Sequence, residues 1–239
     1  MKIVLFQLIL MFGIFVQGVA GFGGTLLSMP LGIMVMGIGV TKPVMTIVAW
    51  LCAVIVVVTD RKYVNWKVLF KMVAVMLVGV IGGLWVSGKL QLNFLLIIYG
   101  IVVAAIGIRR LFFPPKKEPG RAIQGIALAL AGVMQGLFVS GGSFLAVYAV
   151  AQMKDKREFR ATVNAVWALI NTVMIISYIT GGILKGAVLT QSLIAIVPTL
   201  FTVWLSGALT KKIKQQTFLK IIYVILICSG LVLLITNLT

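Results

Sequence analysis

The chain has 239 residues, of which 62% are hydrophobic and 10% are charged, and its mean hydropathy is +1.18. A water-soluble domain of this length needs far more polar surface, so the composition excludes soluble enzymes and soluble binding modules and is typical of an all-α integral membrane protein. The formal net charge of +17 comes from 21 basic and four acidic residues, without any histidine.

The first charge-free stretch, residues 3–41, is about twice as long as one membrane crossing, which takes roughly 20 residues. It contains VQGVAGFGGT at 16–25, where each glycine costs a helix roughly 1 kcal/mol relative to alanine. We therefore expect a broken helix, with two shorter segments that meet at the glycines. The start of this stretch also resembles a signal peptide, but the motif recurs in mid-chain, where no signal peptidase acts, so a retained membrane segment is expected.

The second half of the chain repeats this organisation. After the single crossings 43–59, 72–88 and 90–108, the over-long stretch 122–153 contains MQGLFVSGGS, which matches the first motif at an offset of 118 residues. Three single crossings follow it: 161–184, 186–210 and 221–239. The chain is therefore predicted to consist of two membrane repeats, 1–112 and 121–239, joined by the proline-rich, charged linker 113–120.

Loop charges predict that the two repeats have opposite orientations. Four connections are strongly basic: 60–71, 109–121, 154–160 and 211–220. The others hold one lysine each: Lys42, Lys89 and Lys185. Because loops at equivalent positions of the two repeats differ in basic charge, the positive-inside rule predicts inverted repeats. Each repeat then has three full transmembrane helices and a pair of shorter, broken helices, about eight to ten segments in all. The linker is then cytoplasmic, and both termini lie outside the inner (plasma) membrane.

Paired helix breaks of this kind predict an anion site. A helix that begins near the membrane midplane presents unpaired N–H groups, which carry roughly half a positive charge. Glycine lets a ligand approach them closely, and Thr25 and Ser143 lie where N-cap residues are expected. Inversion would bring both ends together, with the substrate between the two motifs. Close helix packing is the alternative explanation, but two copies in matching positions favour the ligand.

The apolar stretches hold uncharged hydrogen-bond donors and no carboxylate, which disfavours a metal-cation carrier and suits the oxygens of an anion. Every acidic residue is expected in a charged loop: Asp60, Glu118, Asp155 and Glu158. The candidate substrate-binding residues are Gln17, Gly21, Gly23, Gly24, Thr25, Ser28, Gln135, Ser140, Gly141, Gly142, Ser143, Asn164, Trp167 and Arg160.

Some of these candidates have an ordinary alternative. Arg160 ends a basic loop, where it either meets the anion at the cytoplasmic mouth or simply obeys the positive-inside rule, and the second is the commoner reason. Trp50, Trp167 and Tyr148 could form the wall of a pocket or anchor helix ends at the membrane interface. Cys52 lies singly in an apolar stretch, as does the other cysteine, so neither a disulfide nor a metal site is expected.

Three segments resemble the sulfite exporter TauE/SafE family of membrane transporters: GVAGFGGTLLSMPL, QGLFVSGGSFLAVYAV and EFRATVNAVWALIN. The family is itself a duplicated module with two such glycine motifs, so the resemblance covers the full length. It implies transport of sulfite, organosulfonates and related sulfur oxyanions. The family pattern commonly has a third consecutive glycine and a downstream proline, whereas this chain has Thr25 with Pro30 in the first copy, and Ser143 without a proline in the second.

These observations predict a secondary carrier or uniporter for small sulfur oxyanions, with the lipid bilayer as its surroundings and without a cofactor, a metal or a nucleic-acid partner. The alternative is a non-transporting membrane scaffold, assembly factor or sensor. An intramembrane enzyme has less support, because no histidine, buried acid or paired nucleophile is expected in the core. The sequence contains no ATP-binding loop.

Overall fold

The computed structural model describes residues 2–86, 92–113 and 120–238. They form ten α-helices and one 3-10 helix, Arg61–Tyr63. The α-helices are α1 (Lys2–Ala20), α2 (Gly24–Met36), α3 (Ile38–Asp60), α4 (Trp66–Val86), α5 (Leu92–Phe112), α6 (Arg121–Phe138), α7 (Gly142–Gln152), α8 (Lys156–Thr180), α9 (Ala187–Lys212) and α10 (Gln215–Leu238).

Six of these helices, α1, α3, α4, α8, α9 and α10, are long and apolar enough to cross a membrane. No strand occurs in the described ranges. The prediction of an all-α membrane protein with about ten helical segments is confirmed, while the inverted relation of the two repeats stays a prediction. Linker residues 114–119 lie outside the described residues.

Both over-long stretches are interrupted at their glycine motifs, as expected. The first break lies between α1 and α2, where Gly21 and Gly23 have φ values of 86° and 85°. The second lies between α6 and α7, where Val139 takes the left-handed conformation with φ 54°. The pairs are less symmetric than predicted, because α1 has 19 residues and spans about 28 Å on its own, whereas α2 has 13 and α7 has 11. The first break thus follows a full-length helix.

The chain folds into two compact units that are described separately. The first unit comprises Met1–Leu69 and Arg157–Lys212, and the second comprises Phe70–Lys156 and Ile213–Thr239. Each unit therefore combines helices from both halves of the sequence. The predicted division at 113–120 concerns the sequence repeats, and it stays a prediction.

In the first unit, α1 packs against α2, α3 and α9 around a core that includes the fully buried Phe6, Val44, Cys52 and Val56. Near their starts, α1 and α9 are joined by a hydrogen bond from Gln7 Nε2 to Gln191 Oε1 (3.0 Å). Helix α8 runs antiparallel to α3, because Tyr178 Oη lies 3.4 Å from Thr46 Oγ1 near the start of α3 and Arg160 pairs with Asp60 at its end. The end of α3, the start of α8 and the end of α9 line one cavity at one end of this unit.

In the second unit, α5 packs along α10, and α6 packs against α7. Helices α5 and α10 approach each other closely at Gly100 and Gly230, where a Cβ added at Gly230 would lie 2.5 Å from the Gly100 carbonyl oxygen. Small residues at such crossings allow the helix backbones to pack directly, and this packing contributes to helix association in lipid.

Candidate functional site

The first glycine turn connects α1 to α2. The Gly21 N–H donates to Gln17 O (2.7 Å), and the first bond inside α2 runs from Leu27 N–H to Gly23 O (3.0 Å). The N–H groups of Gly24, Thr25 and Leu26 precede that bond, so they are the first-turn donors that a helix leaves for other partners. The expectation that Thr25 is the N-cap is wrong. Gly23 is the N-cap, without a side-chain capping bond, because α2 begins two residues earlier than the side-chain pattern indicates.

Close packing fixes the start of each short helix. A Cβ added at Gly24 would overlap the carbonyl oxygen of Gly13 on α1, and one added at Gly141 would overlap that of Ala131 on α6. Ser28 is fully buried in the contact between α1 and α2, where its Oγ lies 2.6 Å from the position of a Gly13 Cβ. At these positions the packing explanation therefore accounts for the small residues.

Side chains of α8 hold the carbonyl groups of the first turn. The Nε of Arg160 donates to Gly18 O, and the Nε1 of Trp167 donates to Gly21 O (2.9 Å). Asn164 donates to Arg160 O within α8 (2.8 Å), while Gln17 donates to Ala49 O on α3 (3.1 Å). The structure thus brings these predicted residues together, but most of their donors bind backbone oxygens. A cation at the carboxyl end of α1 is favourable, because it faces the negative end of the helix dipole.

Arg160 lies within the first two turns of α8, after the basic loop. It is the fifth residue of α8, it is 5% exposed, and its Nη1 forms an ion pair with Asp60. The expectation that all carboxylates lie in loops is also wrong, because Asp60 is the last residue of α3 and Glu158 lies in the first turn of α8. Helices α3 and α8 extend into the charged clusters, since a partly buried ion pair offsets the cost of burying either charge alone.

A cavity of about 650 Å³ opens beside this ion pair, at the end of the first unit where α3 ends and α8 begins. Its charged residues are Asp60, Lys62, Arg157, Arg160 and Lys211. Its other lining residues include Ile55, Tyr63, Leu200, Val203, Trp204, Gly207 and Thr210. With four cations against one carboxylate, the cavity attracts anions.

The charged groups of this cavity differ in whether they have a hydrogen-bond or ion-pair partner. Arg157 donates to Tyr63 Oη (2.7 Å) and lies 5.3 Å from the centre of that ring. At the inner wall, Gly207 faces the guanidinium, because a Cβ added there would lie 3.6 Å from Arg160 Nη2. Within the described part of the chain, Lys62 and Lys211 have no hydrogen-bond or ion-pair partner.

In the second glycine motif, which lies in the second unit, one backbone N–H group of the turn is already hydrogen-bonded. Gln135 Oε1 accepts the N–H of Gly141 (3.2 Å), and the first bond inside α7 runs from Leu145 N–H to Gly141 O (3.0 Å). Ser143 is not the N-cap either: it is the second residue of α7, after Gly142, and Gly141 caps the helix. The Ser143 Oγ is buried and has no partner among the described residues, and Ser140 is also buried. The predicted site shared by both motifs stays a prediction.

None of the three aromatic residues that could form a pocket wall, Trp50, Trp167 and Tyr148, lines this cavity. Trp50 donates to Thr172 Oγ1 (2.8 Å), and Tyr148 is buried in the second unit with Lys71 Nζ 5.9 Å from its ring centre. Tyr63 and Trp204 line the cavity instead. Sequence reasoning also missed Asp60, Lys62, Gly207 and Lys211. The basic residues among them, Lys62 and Lys211, belong to basic connections, and the positive-inside rule already accounted for their charge.

Comparisons with known proteins agree with a membrane transporter. A protein-family model described as "Sulfite exporter TauE/SafE" matches residues 5–233. A curated protein of Comamonas testosteroni, "Probable inner membrane transporter protein TsaS", is 25% identical over 175 residues, which cover 71% of this chain and 72% of that protein. No solved structure matches the chain.

Proposed function

The chain belongs to the sulfite exporter TauE/SafE family of multi-pass inner-membrane transporters, and we propose that it carries small sulfur oxyanions, such as sulfite or organosulfonates, through a site at Arg160. The transport mode in this proposal is that of a secondary carrier or uniporter. The observation that carries the proposal is the position of the buried Arg160 guanidinium, between the first glycine turn and a basic cavity.

A guanidinium group suits such a substrate. Its planar N–H groups can pair with two oxygens of one oxyanion, and charge-assisted bonds of this kind are about twice as strong as neutral ones. In the absence of substrate, Asp60 compensates the charge of Arg160, since an unpaired buried cation is costly. An arriving oxyanion would compete with Asp60 for the same cation. Because Arg160 also holds Gly18 O, this exchange would act on the end of α1.

The surrounding groups support capture of an anion in the same place. Lys62, Arg157 and Lys211 leave the cavity with an excess of positive charge after Arg160 and Asp60 have paired. Such a field raises the local concentration of anions. The first-turn N–H groups of α2 follow the glycine turn, which begins just after the end of α1 that Arg160 contacts, and they add donors of the kind that bind oxyanions at helix starts. We assign the equivalent first turn of α7 the same role in the second unit.

Substitution of Gly207 tests this site without removing any charge. In Gly207→Ala the new methyl group has ordinary contact distance to Arg160 Nη2, so folding should be unaffected, whereas the larger side chain of Gly207→Val should cover the guanidinium. Loss of one bond to a charged ligand costs about 1.5–3 kcal/mol, so sulfite affinity should fall more than tenfold in Gly207→Val and less in Gly207→Ala. Sulfite binding by calorimetry and sulfite flux in proteoliposomes measure the effect.

Gly39→Ala is the matched control, because a Cβ at this helical position on α3 meets nothing within 4 Å. A folded Gly207→Val protein with unchanged sulfite affinity would contradict the assignment of Arg160. The ligand panel includes thiosulfate, sulfoacetate and taurine, with nickel and cobalt ions for comparison. Stabilisation by either metal ion where every oxyanion fails would contradict the proposed substrate class.

A further inference from the structure

The outer rim of the cavity carries two lysines that add to its positive field but are not assigned to the proposed oxyanion contact at Arg160. Lys62 follows the end of α3, and Lys211 lies at the end of α9. Both line the cavity, and both lack a partner in the described residues. Arg157, by contrast, is bound to Tyr63, and Arg160 is bound to Asp60. The rim therefore offers two ammonium groups to a ligand from outside the chain.

An apolar wall continues from this rim along α9. Leu200 and Trp204 lie one helical turn apart, line the cavity and are 47% and 68% exposed. The ring of Phe201 lies 6.1 Å from that of Trp204 and is also exposed. In a membrane-spanning helix such a surface faces lipid chains, and tryptophan and tyrosine near helix ends mark the level of the lipid headgroups. The cavity is thus cationic at its rim and apolar along one side.

We propose that this rim binds the phosphate group of an anionic phospholipid, with Lys62 and Lys211 on the phosphate and an acyl chain along Leu200 and Trp204. The cavity volume of about 650 Å³ is in the range of sites for drug-sized ligands, and it exceeds what a sulfite ion alone requires. Basic pockets between transmembrane helices on the cytoplasmic side are a recurrent type of site for anionic headgroups. This ligand differs from the proposed substrate, which uses Arg160 at the inner wall.

The apolar wall favours a lipid over free phosphate as the source of the anion. Inorganic phosphate can use the two lysines, but it gains nothing from Leu200 and Trp204. A phospholipid gains from both surfaces, since each buried methylene group contributes about 0.8 kcal/mol. The lipid should therefore bind more tightly than the phosphate ion, and lipids with a neutral headgroup should bind weakly.

Native mass spectrometry of the purified full-length chain in detergent tests the proposal, with phosphatidylglycerol added in steps. The double variant Lys62→Gln/Lys211→Gln should lose at least about tenfold in phosphatidylglycerol affinity, because a basic residue near a lipid headgroup contributes about 1 kcal/mol. Arg61→Gln/Lys212→Gln is the matched control, since it removes the same charge from the neighbouring positions, which do not line the cavity. The control should stay within twofold of the wild-type affinity.

Three results would overturn the proposal. The first is an equal loss in both double variants, which would mean that general surface charge attracts the lipid. The second is equal binding of phosphatidylglycerol and phosphatidylcholine, and the third is displacement of phosphatidylglycerol by millimolar inorganic phosphate; either would make the rim a site for something other than an anionic lipid. Trp204→Ala provides an independent check, because it keeps both lysines and should weaken phosphatidylglycerol while leaving the affinity for inorganic phosphate unchanged.

Discussion

The backbone of a neighbouring helix excludes any side chain at Gly24 and Gly141. Each stands where a short helix starts, and at each the position of a Cβ atom is already occupied by a carbonyl oxygen of the preceding helix. The flanking glutamines belong to the same contacts, because the Cβ atoms of Gln17 and Gln135 lie 3.1 and 3.0 Å from these positions. A backbone carbonyl cannot move aside as a flexible side chain can, so only glycine fits.

Gly24→Ala should therefore destabilise the protein by about 1–3 kcal/mol or more, because overpacking against backbone displaces a whole helix. Thermal unfolding in detergent measures this loss. Gly82→Ala is the control, since a Cβ there meets nothing within 4 Å, and it should be neutral or stabilise the protein by up to about 1 kcal/mol. If Gly24→Ala unfolds at the wild-type temperature but no longer binds sulfite, the residue lines the substrate site and the packing explanation is wrong.

The start of α4 depends on a residue that lies between helices. Asn65 Oδ1 accepts the Val68 N–H (3.1 Å), which makes Asn65 the N-cap of α4. Its Nδ2 donates to Glu158 Oε1 (2.7 Å), and its backbone N–H donates to Thr162 Oγ1 (2.9 Å). One asparagine therefore ties the loop after α3 to the first turns of α8, and through them to the segment that carries Arg160.

Asn65→Ala should lower the free energy of unfolding by about 1–2 kcal/mol, since both the cap and the bond to Glu158 are lost. Asn65→Ser should recover about half of this loss, because serine keeps a capping oxygen but does not reach Glu158. Chemical or thermal unfolding of the purified variants provides the comparison. Equal stabilities of the alanine and serine variants would show that the cap contributes nothing.

The basic segments have a common location in the first unit. Residues from each of the segments 60–63, 157–160 and 207–211 line one cavity, although the segments are far apart in the sequence. Loop charge alone predicts that the basic connections share the cytoplasmic side of the membrane. Three of them meet at one end of this unit, and in the predicted orientation that end is cytoplasmic; the orientation itself stays a prediction.

Cysteine labelling tests this orientation. In a protein with Cys52 and Cys228 replaced, Glu118→Cys in the linker should react with a membrane-impermeant maleimide only after the cells are permeabilised. Lys185→Cys is the control, because the loop that contains it is predicted to be outside and should react in intact cells. Labelling of Glu118→Cys in intact cells would show that the predicted orientation is inverted.

The sequence by itself determined the membrane class, the number of helical segments and the positions of both helix breaks. These properties follow from local features, namely the length of the apolar stretches and the glycines within them, so they can be derived without knowledge of the contacts. Tertiary structure alone decided what Gly18, Asp60 and Arg160 do together, since Arg160 lies 142 positions from Gly18 and 100 from Asp60 and meets them only after the helices have packed. A charge cluster reveals which side of the membrane a segment occupies, but not whether an arginine in it stays in water or turns inward to a carboxylate and a helix end. That choice depends on the neighbours that compensate the charge, and the fold supplies them.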